Sequence, residues 1–79
     1  KLPKRELIIL VLNNLINDVE NRKNAADWAM SFVDNDDIEL NDLNAWRVLK
    51  RIGSADLPAS EGGYLYNIED FISWKKELI

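Results

Sequence analysis

Three tryptophans, Trp28, Trp46 and Trp74, fall in three separate helical stretches of a chain with no cysteine and no histidine. Without Cys no disulfide can form, and without Cys or His a zinc, haem or iron–sulfur site lacks its usual ligands. A chain of 79 residues sits near the lower limit at which packing alone sustains a core; shorter domains lean on such staples. The core must therefore come from apolar side chains, and the three tryptophans are the largest on offer. The expectation is an all-α fold, a small four-helix bundle forming a single helical domain over residues 1–79, with a Trp from each of three helices in one core.

Apolar periodicity supports the helix count. At 100° per residue, Ile8, Leu12, Leu15, Ile16 and Val19 share one face of a helix predicted from Lys4 to Asn21, which Pro3 can open. Leu7 and Leu10 point elsewhere. Asn24 and Asp27 have the spacing of a capping box ahead of a second helix bearing Ala25, Trp28, Ala29 and Phe32 on one face. Its alanines predict close approach to a neighbour. Asn41 or Asp42 caps a third helix, with Ala45, Trp46, Leu49 and Ile52 on its apolar arc, Arg47, Lys50 and Arg51 opposite, and Gly53 at its end. Asn67 and Asp70 form a second box before a last helix whose inner face is Ile68, Phe71, Trp74 and Leu78. The expected core is Ile8, Leu12, Leu15, Ile16, Trp28, Phe32, Trp46, Leu49, Phe71 and Trp74.

Between the last two helices, Pro58 and Gly62-Gly63 exclude a helix. Leu57, Tyr64, Leu65 and Tyr66 in that irregular segment should pack somewhere, since large side chains are costly to leave in water. Tyr64–Tyr66 could pair with Ile38–Leu40 as a minimal two-strand patch.

With 47% hydrophobic and 30% charged residues, the chain has the balance of a folded protein rather than a disordered one. The apolar run Leu7–Leu12 is too short for a membrane span. Lys1, Lys4 and Arg5 before it imitate the start of a signal peptide, yet no small-residue cleavage site follows; a cytoplasmic location is expected. The net charge of −4 argues against a general affinity for nucleic acid and for a basic partner.

Catalysis has little material. No His base and no Cys nucleophile exist, and Ser31, Ser54, Ser60 and Ser73 lack an activating context. Asp34 and Asp36 fit the first ligand positions of an EF-hand loop, but Ile38, Glu39 and Ala45 stand where that loop needs an oxygen ligand, a Gly and a closing Glu. Neither a catalytic residue, a metal site nor a cofactor is expected, and the chain is read as a non-enzyme. Two surfaces remain. The acids Asp34, Asp36, Asp37 and Glu39 crowd the second connection; Asp56, Glu61, Tyr64 and Tyr66 mark the long segment, where tyrosines can anchor an interface. The bases Arg47, Lys50 and Arg51 could meet phosphate as a recognition helix does, or simply suit the helix dipole at its C-terminal end. Leu7 and Leu10 are either covered by the long segment or form a homodimer contact.

The stretch Gly53-Ser54-Ala55-Asp56-Leu57, with Trp46 before it and Tyr64-Leu65-Tyr66-Asn67-Ile68-Glu69-Asp70-Phe71-Ile72-Ser73-Trp74 after it, resembles small uncharacterised bacterial proteins, a likeness that brings no activity with it. In size, acidity and helical architecture the chain is also similar to bacterial toxin immunity proteins. Their Tyr-Tyr-Pro signature is absent; this chain has Tyr64-Leu65-Tyr66. The leading expectation is a protein-binding module, of inhibitor or immunity type, for a basic partner. The alternatives are a small helix-turn-helix-like nucleic-acid binder and a structural homodimer.

Overall fold

Four helices form in the expected order, α1 (Arg5–Ile16), α2 (Arg22–Val33), α3 (Leu43–Ile52) and α4 (Ile68–Lys76), in a computed structural model that describes residues 1–79. None is long and apolar enough to cross a membrane. Packing pairs α2 chiefly with α3 and α1 with α4. Small side chains explain the first pair: Ala25, Ala26 and Ala29 of α2 and Ala45 of α3 are all buried. At the end of α3, Gly53 lies so close to α2 that a Cβ there would sit 2.6 Å from the Met30 sulfur. A larger residue at Gly53 would have to displace the flexible Met30 side chain; the φ of −59° is ordinary helical backbone, contrary to the left-handed cap expected of it.

Two helix ends differ from expectation. α1 stops at Ile16 because Asp18 adopts the left-handed conformation, φ 57°, which Asp tolerates better than most residues. The Val19 N–H then reaches back to the Asn14 carbonyl at 2.8 Å and the Asp18 N–H to Leu15 at 3.3 Å, a Schellman ending. Val19 is thrown outward and is 74% exposed rather than part of the inner face. α2 starts a turn earlier than Asn24: Asn21 is the cap, and its side chain accepts the Asn24 N–H at 2.7 Å. At the start of the last helix both halves of the Asn67/Asp70 capping box form, but Ile68, expected on the inner face, is 48% exposed.

The tryptophans do not share the core equally. Trp74 is buried with Phe71 and Leu78, whereas Trp28 and Trp46 pack against the core from its edge, as do Ile16 and Phe32. Large rings are seldom fully enclosed in a small domain. Their places at the centre go to Val48, Ile52 and Ala55, beside Ile8, Leu12 and Leu49.

The long segment pairs with itself instead of with residues 38–40. The Leu65 N–H donates to the Leu57 carbonyl at 2.9 Å and the Ala59 N–H to Gly63 at 3.1 Å, with one antiparallel bridge, Pro58 to Tyr64. Gly62 and Gly63, at φ 99° and 69°, make the reversal. Because the strands meet only locally, Leu57, Tyr64 and Leu65 stay exposed; Tyr66 alone turns inward, its ring edge-on to Trp74 at 5.0 Å.

One ion pair ties three parts of the chain. Arg5 donates to both oxygens of Asp42, at 2.6 and 2.9 Å, and to the Leu78 carbonyl at 3.4 Å. Asp42 also caps α3 by accepting the Ala45 N–H. The Arg5 hydrogen bonds, aided by that backbone donor, hold the Asp42 carboxyl below the usual carboxylate range. A carboxyl depressed on folding stabilises the fold above its unfolded value, near 3.9, and loses that contribution as pH falls through the lower folded value. Asp42→Asn keeps a competent cap but loses the charge. Its urea midpoint should therefore fall below wild type at pH 7 and converge with it as the pH drops below about 4. Parallel midpoints down to low pH would remove the ion pair from the account.

Candidate functional site

The outer face of α3 carries three bases, Arg47, Lys50 and Arg51, within five residues. The helix buries Ala45, Val48, Leu49 and Ile52 on one side, which forces Arg47, Lys50 and Arg51 to the other. Arg47 and Lys50 are exposed and Arg51 half-buried. Continuing the helical arc past Gly53 brings Ser54 over the same stripe. The returning segment supplies Tyr66, so that Arg47, Lys50, Arg51, Ser54 and Tyr66 line one shallow open depression of about 360 Å³.

The three bases are differently engaged. Arg51 forms an ion pair with Glu77, the residue that ends α4. The Lys50 ammonium lies 5.6 Å from the centre of the Trp46 ring, one turn back on the same helix. Arg47 has neither an acidic nor an aromatic partner and projects into solvent. The depression therefore offers one uncommitted guanidinium, one ammonium resting on an exchangeable contact and one guanidinium already answered by a carboxylate.

The sequence-selected residues do not converge. Asp34 ends α2 as its cap residue. Asp36, Asp37 and Glu39 follow in an exposed turn, where the Asn35 side chain accepts the Asp37 N–H at 3.0 Å. This places the acids at the N-terminal end of α3, away from its bases. Asp56 stands half-buried at the start of the long segment and Glu61 at its exposed tip. Tyr64, 54% exposed, lies on another side of the domain, stacked on Arg22 at 4.1 Å. Of the eight residues picked from sequence, only Tyr66 joins the α3 face. Ser54 was legible by extending the α3 arc one turn; Tyr66 depends on a chain reversal that no spacing reveals.

Arg22 is the residue that sequence patterns miss. From the first turn of α2 it donates to the carbonyls of Ala55, at 3.0 Å, and Tyr66, at 2.6 Å, and it also lies 4.9 Å from the centre of Phe71. It holds the two ends of the long segment together and so sets where Tyr66 meets α3.

The chain is thus a small all-α domain of four helices with one exposed basic helix, closed on that side by a tyrosine from the following segment. The chain belongs to the family described as YxzC DNA-binding protein, whose family model matches residues 4–78. A Bacillus subtilis (strain 168) relative, "Uncharacterized protein YxzC", is 30% identical over 79 residues, taking in 98% of this chain. The chain spans 65% of that relative's length. No solved structure matches. These matches place the chain among small uncharacterised bacterial proteins; they do not include the likeness to toxin immunity proteins.

The family description overturns the expectation that nucleic acid is an improbable partner and a basic protein the probable one. The reason lies in where the charges sit. Net charge averages over the whole surface, whereas a phosphate responds to what lies within about a Debye length, ~10 Å at 0.1 M salt. Along the helix axis Arg47 is roughly 7–8 Å and Lys50 and Arg51 are roughly 12–14 Å from Asp42, and the remaining acids of that connection lie beyond it in sequence. Asp42 is itself neutralised by Arg5.

Proposed function

We propose that this chain is a non-catalytic DNA-binding domain that presents the outer face of α3 to the double helix. The observation that carries this reading is the segregation of charge along α3, with Arg47, Lys50 and Arg51 around one open depression and the acids at the opposite end. The family's description supports the ligand class. A helix with its side chains is about 10–12 Å across, and the major groove is about 12 Å wide. The order α2, connection, α3 resembles a helix-turn-helix with α3 as its second helix, although residues 34–42 make a longer connection than the usual turn of about three or four residues. Arg47 and Lys50 are the phosphate-contacting groups. Asn44, exposed one turn before Arg47, is of the type that pairs with adenine in the groove. On this reading the chain works in the bacterial cytoplasm, where the chromosome is.

The test is fluorescence anisotropy with a labelled duplex across a salt series. Binding without strong sequence preference should show a dissociation constant of about 10⁻⁴–10⁻⁶ M near physiological salt and tighten steeply below it. Each phosphate contact contributes about 0.9 to the slope of log K against log salt. Arg47→Ala should therefore weaken binding uniformly across sequences and flatten the slope by about 0.9. No anisotropy change at low salt, with the protein folded, would exclude the reading.

A further inference from the structure

We infer that Glu77 is a built-in competitor for the DNA phosphate at Arg51, and that it sets the affinity of the α3 face. This rests on the DNA-binding reading above and adds to it a residue from a different helix. Glu77 ends α4, far from α3 in sequence, yet its carboxylate closes on the Arg51 guanidinium. Both side chains are partly exposed, at 39% and 37%, so solvent and ligand reach the pair. Arg51 also lines the depression that holds Arg47 and Lys50.

A carboxylate presents the same two-oxygen edge to a guanidinium that a phosphate does. While Glu77 occupies that edge, Arg51 contributes little attraction to an incoming anion. A phosphate that displaces Glu77 leaves an unpaired carboxylate beside the polyanion. An exposed pair of this kind is weak enough to exchange, so Glu77 lowers affinity without abolishing binding. In the resting chain Arg47 and Lys50 bear the contact, and Arg51 is held in reserve.

The experiment compares Glu77→Gln, Glu61→Gln, Arg51→Ala and the Glu77→Gln/Arg51→Ala double variant by anisotropy on one duplex, with circular-dichroism melts to confirm folding. Glu61→Gln removes the same charge at the tip of the long segment and controls for net charge. Glu77→Gln should bind about two- to fivefold tighter than wild type, from the strength of an exposed pair. Its salt slope should steepen by about 0.9, one further phosphate contact. Arg51→Ala alone should weaken binding, because it leaves Glu77 unpaired beside the DNA, and in the double variant it should cancel the gain and return affinity to near wild type. Glu77→Ala should behave as Glu77→Gln does, which covers any folding defect particular to one substitution. If wild type binds and Glu77→Gln matches Glu61→Gln, or binds more weakly, the competitor role is overturned and Glu77 only braces Arg51. If Glu77→Gln binds where wild type does not, the inference stands in a stronger form. If neither retains DNA at low salt, the inference falls together with the DNA-binding reading.

Discussion

Phe71→Ala should lower the unfolding free energy by about 3–5 kcal/mol, the range for deleting a buried aromatic ring. Phe71 is 1% exposed and sits where α4 meets the rest of the domain. Its ring lies 5.4 Å from Trp74, which meets Tyr66 edge-on, and Arg22 approaches its other side. Removing the ring leaves a cavity and deletes its contacts with Trp74 and Arg22. A domain of this size has a total stability of only about 4–12 kcal/mol, so the variant should lose at least about a quarter of it. Equilibrium urea unfolding followed by tryptophan fluorescence measures it directly. Trp46→Ala is the informative comparison. Trp46 is larger, yet it packs at the margin of the core, and its loss should cost clearly less. Equal losses would mean that Trp46 is as central as the sequence pattern implied.

That comparison separates what was legible from what was not. The 100° periodicity found every helix and most of the buried side of α3 and α4, because burying one stripe is the dominant demand on an amphipathic helix; it misplaced Ile68, which is exposed, and set Val48 at the edge of a face it helps to fill. The Asn67/Asp70 box was readable because no competing cap stands nearby. Asn21 was hidden by Asn24, which offers the same chemistry three residues later. The end of α1 was hidden because it depends on Asp18 entering a left-handed conformation, and no Gly announces it. Tryptophan volume misled about the core: the centre of a small bundle favours side chains that fill short gaps between close backbones, here alanines, Val48 and Ile52. At the site the bases of α3 were visible on their arc. The weight that the proposed DNA-binding reading gives them was not, because net charge averages over the whole surface. A phosphate at Lys50 meets a local field, and the acids of residues 34–42 contribute to it only through solvent and salt.

Arg22→Gln should destabilise the domain by about 2–4 kcal/mol, since hydrogen bonds from a charged donor are worth about 1.5–3 kcal/mol each and their loss leaves carbonyls unanswered. The guanidinium bridges the Ala55 and Tyr66 carbonyls, which flank the long segment, so its loss frees that segment at both ends. Gln is shorter and uncharged and cannot span the two. Arg22→Lys should restore stability only in part: a single Nη1 donates to both carbonyls, which an ammonium can imitate, but an ammonium lacks the planar face that stacks on Tyr64 and Phe71. Amide hydrogen exchange should report the damage locally: the Leu65 N–H, bonded to Leu57, should lose protection before the helices do. A second consequence distinguishes Arg22 from an ordinary stabilising residue. Tyr66 reaches the α3 depression only through the backbone that Arg22 holds, so DNA affinity should also weaken at temperatures where the variant remains folded. If stability falls while binding is unchanged, Tyr66 is a bystander to the α3 face, and the site reduces to what α3 carries alone.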